Sequence, residues 1–339
     1  MAGLRVVYTD PAWAVDETGS LRPERAELER GILGPGISVE LGPFDAGYVL
    51  AGEQLHQAVK GADALVVYRC QVTPELIEAA GPGCRVIARS GVGIDNLNGE
   101  LLRRSGVYGF HIPDYCGDEV STHTLALLLA LERGICVQDR LVRADEWGIH
   151  RGQIPRRAAD RVAGIVGFGR IGRATTRKLQ PFYRRVLAHD PYVPADLMAS
   201  HGVDRVDRLT ELFERSDAVI LHAALTAETR DLVNTAVLAA ARPGTLLVNT
   251  ARGGLVDLAA VLAALSEGRL GGYASDVFSP EDPNRTEPGR RLLARDDVIV
   301  SSHRAFLSHE SELSLRRRVA AGIRAVLVGG TPPPEGQVA

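Results

Sequence analysis

Short apolar runs alternate with stretches of helical spacing along most of this chain, the pattern that parallel strands joined by crossover helices leave in a sequence. In the N-terminal part, Leu4–Tyr8, Ala64–Val67, Arg85–Ala88 and Val107–Phe110 are predicted as strands, and Pro74–Ala80 and Gly99–Ser105 as helices. Asp118 and Glu119 put acids where a helix N-terminus favours them, so a helix is expected from there through Leu125–Glu132. A polar, arginine-rich stretch from His150 to Arg161 follows, and then a second series of strands begins. Its members are Val162–Val166, Arg185–His189, Ala218–Leu221, Thr245–Asn249, Gly271–Asp276 and Val298–Ser301. Between them Ile171–Leu179, Arg208–Phe213 and Val256–Glu267 carry helical spacing, and a last amphipathic helix is expected over Glu310–Val328. Six strands in β-α alternation amount to a full doubly wound nucleotide-binding sheet.

The 339 residues suffice for two domains, and a composition 45% hydrophobic and 24% charged provides a sizeable core. A net charge of −3 gives no electrostatic case for nucleic acid or anionic membrane as a partner. Cys70, Cys84, Cys116 and Cys136 form no CxxC pair, so buried reduced thiols are expected rather than a disulfide framework or a zinc site. The N-terminus enters a strand pattern directly, without the apolar core of a signal peptide, and Leu125–Leu131 is too short an apolar run to cross a bilayer. A cytoplasmic protein is the expectation.

Gly167-Phe168-Gly169-Arg170-Ile171-Gly172 follows a predicted strand and opens a predicted helix. In that context the first glycine permits a tight turn, the second lets the backbone approach a pyrophosphate, and the third lets helix and strand pack closely. The helix N-terminus offers unsatisfied N–H groups to the phosphates. Asp190 ends the next strand, where a carboxylate accepts from ribose hydroxyls and repels a 2′-phosphate. Pro191-Tyr192 after it supply no arginine for that phosphate. NAD rather than NADP is the cofactor these residues predict.

Three further segments fall at the carboxyl ends of later strands: Arg252 between a strand and two glycines, Asp276 to Glu281, and His303 after Ser301-Ser302. Each alone also reads as structural: a surface arginine, a loop acid, a satisfied histidine. Together they form a set suited to reducing a 2-keto acid. Such a reduction needs a proton on the carbonyl oxygen, which an imidazolium supplies near neutral pH. A neighbouring carboxylate favours that imidazolium, and an arginine fork holds the substrate carboxylate.

With Gly91-Val-Gly-Ile-Asp-Asn96, the glycine loop with Asp190, His222-Ala-Ala-Leu-Thr226, Val248–Asp257, Asp276–Glu281 and Ser301–Phe306 in this order, the chain resembles the D-isomer-specific 2-hydroxyacid dehydrogenase family. The resemblance points to its C-terminal-binding-protein-like and phosphoglycerate dehydrogenase-like branch. It implies an α/β fold of two doubly wound parallel-sheet domains. A Rossmann NAD-binding domain at 113–305 is inserted into a discontinuous flavodoxin-like substrate domain, 1–112 and 306–339. It implies Arg252 for the substrate carboxylate, His303 as acid/base and Glu281 as its partner. Asp276 is implied for the nicotinamide amide, Thr250 and Ala251 for the nicotinamide face, and His222, Ala223, Ala224 and on to Thr229 for the loop beneath the pyrophosphate. Gly91, Val92 and Gly93 are implied as a substrate-binding turn, with Arg89 a second anion contact or an interdomain ion pair. A small 2-hydroxy or 2-keto acid is the implied substrate and a homodimer the implied assembly, built on helices near residues 118–140.

The chain departs from the family pattern at Ala224, Asp282, Arg304 and Phe306. Arg304, if turned inward, would suit a doubly charged substrate. Phosphite or a phosphonate on the same scaffold, and an NAD-sensing corepressor-like protein, stand as the alternative readings.

Overall fold

The computed structural model describes residues 3–44, 47–329, 333 and 335–339. The chain divides into two compact units, Met1–Tyr115 with Ser308–Ala339, and Cys116–Leu307. These boundaries lie two to three residues beyond those read from the sequence. Asp114 stays with the first unit through a 2.7 Å ion pair to Arg318, and Tyr115 through packing on that unit's core.

Five strands build the first unit's sheet: β1 (Leu4–Tyr8), β2 (Ile37–Leu41), β3 (Ala64–Val67), β4 (Val86–Arg89) and β5 (Tyr108–His111). All pair in parallel, in the order β2-β1-β3-β4-β5. Alternate residues serve opposite faces, as the period of two dictates. Val6, Tyr8, Val66, Val86 and Ala88 pack with Leu33 and with Leu315, Val319 and Ile323 of the helix His309–Arg324. Val7, Leu65, Val67 and Ile87 pack on the other face with Leu55, Val59, Leu76 and Leu102. Gln337 bridges Phe110 in antiparallel sense, so the C-terminal tail covers the β5 edge.

The second unit holds β6 (Val162–Val166), β7 (Arg185–His189), β8 (Asp204–Arg205), β9 (Ala218–Leu221), β10 (Thr245–Asn249), β11 (Leu270–Ser275) and β12 (Val298–Val300). They form a parallel sheet in the order β12-β11-β10-β9-β6-β7-β8, which reverses direction between β6 and β9. Apolar clusters cover both faces, and the helix Gly117–Arg133 joins one of them through Leu127 and Leu128. Among the described residues no single helix is long and apolar enough to cross a membrane. All four cysteines are thiols, and burial pushes those of Cys70 and Cys84 up to about 12 and about 11.

The fold differs from the sequence expectation in two strands. β2 is an edge strand whose outward positions are polar or half-exposed, and β8 is two charged residues, so neither makes an apolar run. The last helix ends at Arg324 and passes into a single wider turn, Ala325–Gly329, instead of continuing to Val328.

Candidate active site

The glycine loop stands at the switch point of the second sheet, where ligands of such sheets collect. Gly167 has φ +91°, and a Cβ there would lie 2.6 Å from the Ala223 nitrogen, so only glycine lets β6 turn beneath the 222–229 loop. A Cβ on Gly172 would lie 2.2 Å from the Gly167 oxygen, which fixes the close approach of helix and strand. At Gly169 a Cβ would meet nothing within 4 Å, and this residue caps the helix Arg170–Leu179 without a side-chain bond or an acid in the first turn. The backbone amides there face open space, which fits a pyrophosphate. Phe168 contributes backbone only, since its side chain is fully buried, edge-on to His201.

Asp190 follows β7 and accepts from the Phe168 amide at 2.8 Å and the Tyr192 amide at 2.9 Å, which joins the two turns. Pro191 and Arg170 are exposed, and Ile171 is half-buried. Glu228, unremarked in the sequence, receives the Tyr192 hydroxyl at 2.8 Å and so closes the 222–229 loop over the Asp190 turn. Thr229 braces that loop, donating to the Ala224 carbonyl at 2.6 Å and accepting from the Thr226 amide at 2.8 Å.

His222 keeps part of its surface, but its Nε2 end is enclosed against the Thr175 hydroxyl, 2.8 Å away, and Thr175 is fully buried. Burial pushes the imidazole down to about 3, so it is neutral at physiological pH. The unfolded chain binds a proton near pH 6.5 that the folded chain refuses. The resulting stability is therefore whole above pH 6.5 and is lost as pH falls toward 3, by up to about 1.4 kcal/mol per pH unit. Urea unfolding between pH 7 and 4.5 should show a shallower loss in His222→Gln than in the native chain.

Three adjacent strands carry the remaining groups on their carboxyl ends: Arg252 after β10, Asp276 and Glu281 after β11, His303 after β12. His303 Nδ1 lies 3.1 Å from Glu281 Oε1, with side-chain exposures of 28% and 52%. His303 adopts φ +53°, a left-handed backbone uncommon outside glycine, and its amide donates to the Asp276 carbonyl at 2.7 Å. Phe306 stands edge-on to the imidazole at 6.4 Å, and the Arg304 residue is exposed.

The Asp276 carboxylate is 1% exposed and holds the turn that follows β12. Its oxygens accept from the Ser301 hydroxyl at 2.5 Å, the Arg304 amide at 3.0 Å and the Ala305 amide at 2.8 Å. A buried carboxylate needs such donors, and these fix the turn that carries His303. His123, unremarked in the sequence, adds its Nε2 at 2.9 Å from Ser301 Oγ and 3.7 Å from Asp276 Oδ1. Beside it the Thr124 hydroxyl donates to the Val120 carbonyl, so it accepts from Thr250 at 2.7 Å and ties the helix Gly117–Arg133 to the end of β10.

Arg252 is half-buried in extended backbone, its Nη1 donating to the Ala251 carbonyl at 2.8 Å. Asn249 clamps the turn, donating to the Arg252 carbonyl at 2.9 Å and accepting from the Ala251 amide at 3.1 Å. Gly253 is obligatory beyond it, because a Cβ would lie 2.0 Å from the Phe278 backbone. The remaining candidates belong to the first unit. Arg89, at the end of β4, lies over Gly91, whose φ of +147° and missing Cβ make room for the guanidinium. Val92 follows, its carbonyl 2.7 Å from His111 Nδ1, and Gly93 is half-buried beside it. Among the described residues no group of His, Cys, Asp and Glu is arranged to hold a metal ion.

Residues 125–305 match the family described as D-isomer specific 2-hydroxyacid dehydrogenase, NAD binding domain. Over 291 residues the chain is 37% identical to the (S)-sulfolactate dehydrogenase of Chromohalobacter salexigens, covering 83% of this chain and 92% of that protein. It is 34% identical over 294 residues to the D-3-phosphoglycerate dehydrogenase of Methanocaldococcus jannaschii, covering 86% of this chain and 55% of that protein, so it spans about half that relative's length. Its fold matches that of D-lactate dehydrogenase from Aquifex aeolicus, solved with NAD and lactic acid, at a TM-score of 0.84 and 24% identity over 96% of each chain. The glycine cradle, the strand-end Arg, Glu and His, and these likenesses lead to one conclusion: the chain belongs to the D-isomer specific 2-hydroxyacid dehydrogenase family and carries its NAD-binding domain.

Proposed function

We propose that this protein transfers a hydride between NAD and a small 2-hydroxy or 2-keto acid. The observation that carries the proposal is the 3.1 Å contact of His303 Nδ1 with Glu281 Oε1 on the strand end two removed from Arg252. When bound, the nicotinamide of NADH supplies the hydride to the carbonyl carbon. The chain supplies the rest. With Nδ1 held by Glu281, His303 presents Nε2 to the substrate and passes its proton to the carbonyl oxygen, so that keto acid, hydride and proton balance as hydroxy acid. Glu281 orients the imidazole through its contact at Nδ1, and Arg252 grips the carboxylate and aligns the carbonyl. Asp276, with Ser301 and His123, acts as a positioning residue for the His303 turn. Asp190 takes the adenosine ribose hydroxyls. The Gly91 amide is taken by the Arg89 carbonyl at 3.0 Å, which leaves Val92 and Gly93 as the amides of that turn for an anion. NADH oxidation followed at 340 nm against glyoxylate, pyruvate, hydroxypyruvate, branched and aromatic 2-keto acids, with phosphite plus NAD in reverse, tests the proposal. Turnover of at least one 2-keto acid is expected; turnover of phosphite alone would replace it.

The assembly we propose is a homodimer. The segment 135–154 exposes Ile135, Val142, Trp147, Ile149 and Ile154, with Trp147 and Ile149 more than 80% exposed. An apolar strip of this kind is what a second copy would cover. Light scattering should give twice the chain mass, and a monomer at micromolar concentration would refute the dimer.

A further inference from the structure

In the order β9-β6-β7, both neighbours of β6 send out a loop at their carboxyl ends, and one side chain joins those loops. The contact therefore spans the strand end that carries the glycine turn. Tyr192 makes both halves of it. Its amide donates to Asp190 Oδ1 at 2.9 Å, and its hydroxyl donates to Glu228 Oε2 at 2.8 Å. Two carboxylates thus stand at the two ends of a single tyrosine. The hydroxyl is held above its ordinary pKa first by the hydrogen bond to Glu228, then by that carboxylate's charge, by loss of hydration and by the charge of Asp190. It keeps its proton and remains a donor, with both acids acting on it.

Each acid is fixed by its own loop. Asp190 Oδ2 accepts from the Phe168 amide at 2.8 Å. Glu228 lies in a turn closed by the Arg230 amide on the Thr226 carbonyl at 3.1 Å and by the Thr229 hydroxyl on the Ala224 carbonyl at 2.6 Å. Pro191 and Pro194 flank Tyr192 and restrict its backbone. Tyr192 is 79% exposed and Glu228 is exposed, and a hydrogen bond so open to water adds little to stability. Its effect is on position: it holds the Glu228 charge over the Asp190 turn. The arginines beside these loops are turned elsewhere. Arg205 donates to Asp207 at 2.8 Å and to the Val193 carbonyl at 3.0 Å. Arg230 reaches toward Gly254, its Nη1 3.6 Å from where a Cβ would stand, and Arg170 belongs to the glycine loop, beside the amides that suit the pyrophosphate.

We infer that Glu228 is a cofactor-specificity residue, which sets a second negative charge beside that of Asp190 against the 2′-phosphate of NADP and is held there by Tyr192. The inference rests on the reading of Asp190 as acceptor of the adenosine ribose hydroxyls. A phosphate monoester carries a charge of about −1.5 to −2 at pH 7. One tyrosine separates the acids, so a phosphate at Asp190 lies on the order of one physiological Debye length from Glu228. At low salt, where screening reaches out to about 30 Å, that repulsion weakens binding about three- to tenfold. The uncharged 2′-hydroxyl of NAD escapes it.

The test measures the Kd of NADH by nicotinamide fluorescence, and that of NADPH by competition with NADH, at about 0.01 M and about 1 M salt. It compares the native chain with Glu228→Gln, Tyr192→Phe and Asp190→Ser. Glutamine keeps an acceptor for the Tyr192 hydroxyl and removes only the charge. In Glu228→Gln the ratio of NADPH Kd to NADH Kd should fall about three- to tenfold at low salt, through NADPH alone, and match the native ratio at high salt. Tyr192→Phe, which frees Glu228 with its charge intact, should lower the ratio by less; a native ratio there overturns the holding role of Tyr192. An unchanged ratio in Glu228→Gln, equal changes for both dinucleotides, or a shift that survives high salt overturns the inference. Asp190→Ser separates the two readings. A ratio unmoved in that variant overturns the placement of the ribose at Asp190, whereas a fall there with none in Glu228→Gln overturns the part of Glu228 alone.

Discussion

His303→Asn is expected to lower kcat for 2-keto acid reduction by about 10²–10⁴-fold while NADH affinity stays nearly unchanged. The imidazole is the titratable donor that Glu281 orients, and with Nδ1 engaged its Nε2 is the nitrogen left to face substrate. Asparagine suits the experiment because it tolerates the left-handed backbone that His303 adopts at φ +53°. The turn keeps its other anchors, the Ser301 hydroxyl and the Arg304 and Ala305 amides on Asp276, so what is removed is the proton donor and not the loop. Steady-state kinetics with NADH titrated by fluorescence separates the two effects. Equal losses in kcat and NADH affinity would mean a collapsed site, and retained kcat would assign the proton to another group.

Arg161→Met should destabilise the second unit by about 3–5 kcal/mol, because it strands a buried acid. Arg161 and Glu132 form a 2.9 Å pair with side-chain exposures of 8% and 1%. Arg161 Nη2 also donates to the Asp217 carbonyl at 2.9 Å, and Asp217 in turn receives the Val162 amide at the start of β6. Burial pushes the Glu132 carboxyl up, and the Tyr183 hydroxyl and Arg161 pull it partly back. Loss of the arginine removes that compensation and leaves an unpaired charge against β6 and the helix Gly117–Arg133. Adding Glu132→Gln should recover much of the loss, since replacing a whole buried pair is far less costly than breaking it. Urea midpoints of the native, single and double variants measure this; a double variant as unstable as the single one would show that the pair acts by packing alone.

The parts of this fold that were legible in the sequence are those where burial on both faces leaves an uninterrupted apolar run. Val162–Val166, Ala218–Leu221 and Thr245–Asn249 are of that kind, buried at every position. The edge strand Ile37–Leu41 is buried only at its first residue, and the helix Ile135–Arg143 buries none of its side chains, so neither left that signature. Arg252, Glu281 and His303 could be picked out because each sits a few residues beyond a readable strand. His123 and Thr124 could not: their partners Ser301 and Thr250 lie 178 and 126 residues away, and nothing in the helix pattern marks that face. The grip of Asp276 on the His303 turn was equally hidden, because two of its donors are backbone amides that any residue would supply. Glu228 was one acid among many until Tyr192 was seen to join it to Asp190.

The central claim is direct hydride transfer to the carbon of a 2-keto acid, and isotope transfer tests it without intermediaries. NADH carrying deuterium at both nicotinamide C4 positions, incubated with protein and a turned-over 2-keto acid in ordinary water, should give a 2-hydroxy acid with one deuterium on C2, seen as loss of the C2 proton signal by NMR. The same reaction with His303→Asn should yield about 10²–10⁴-fold less of that product in the same interval. A product carrying hydrogen from solvent at C2, or NADH consumed with no hydroxy acid formed, would contradict the account.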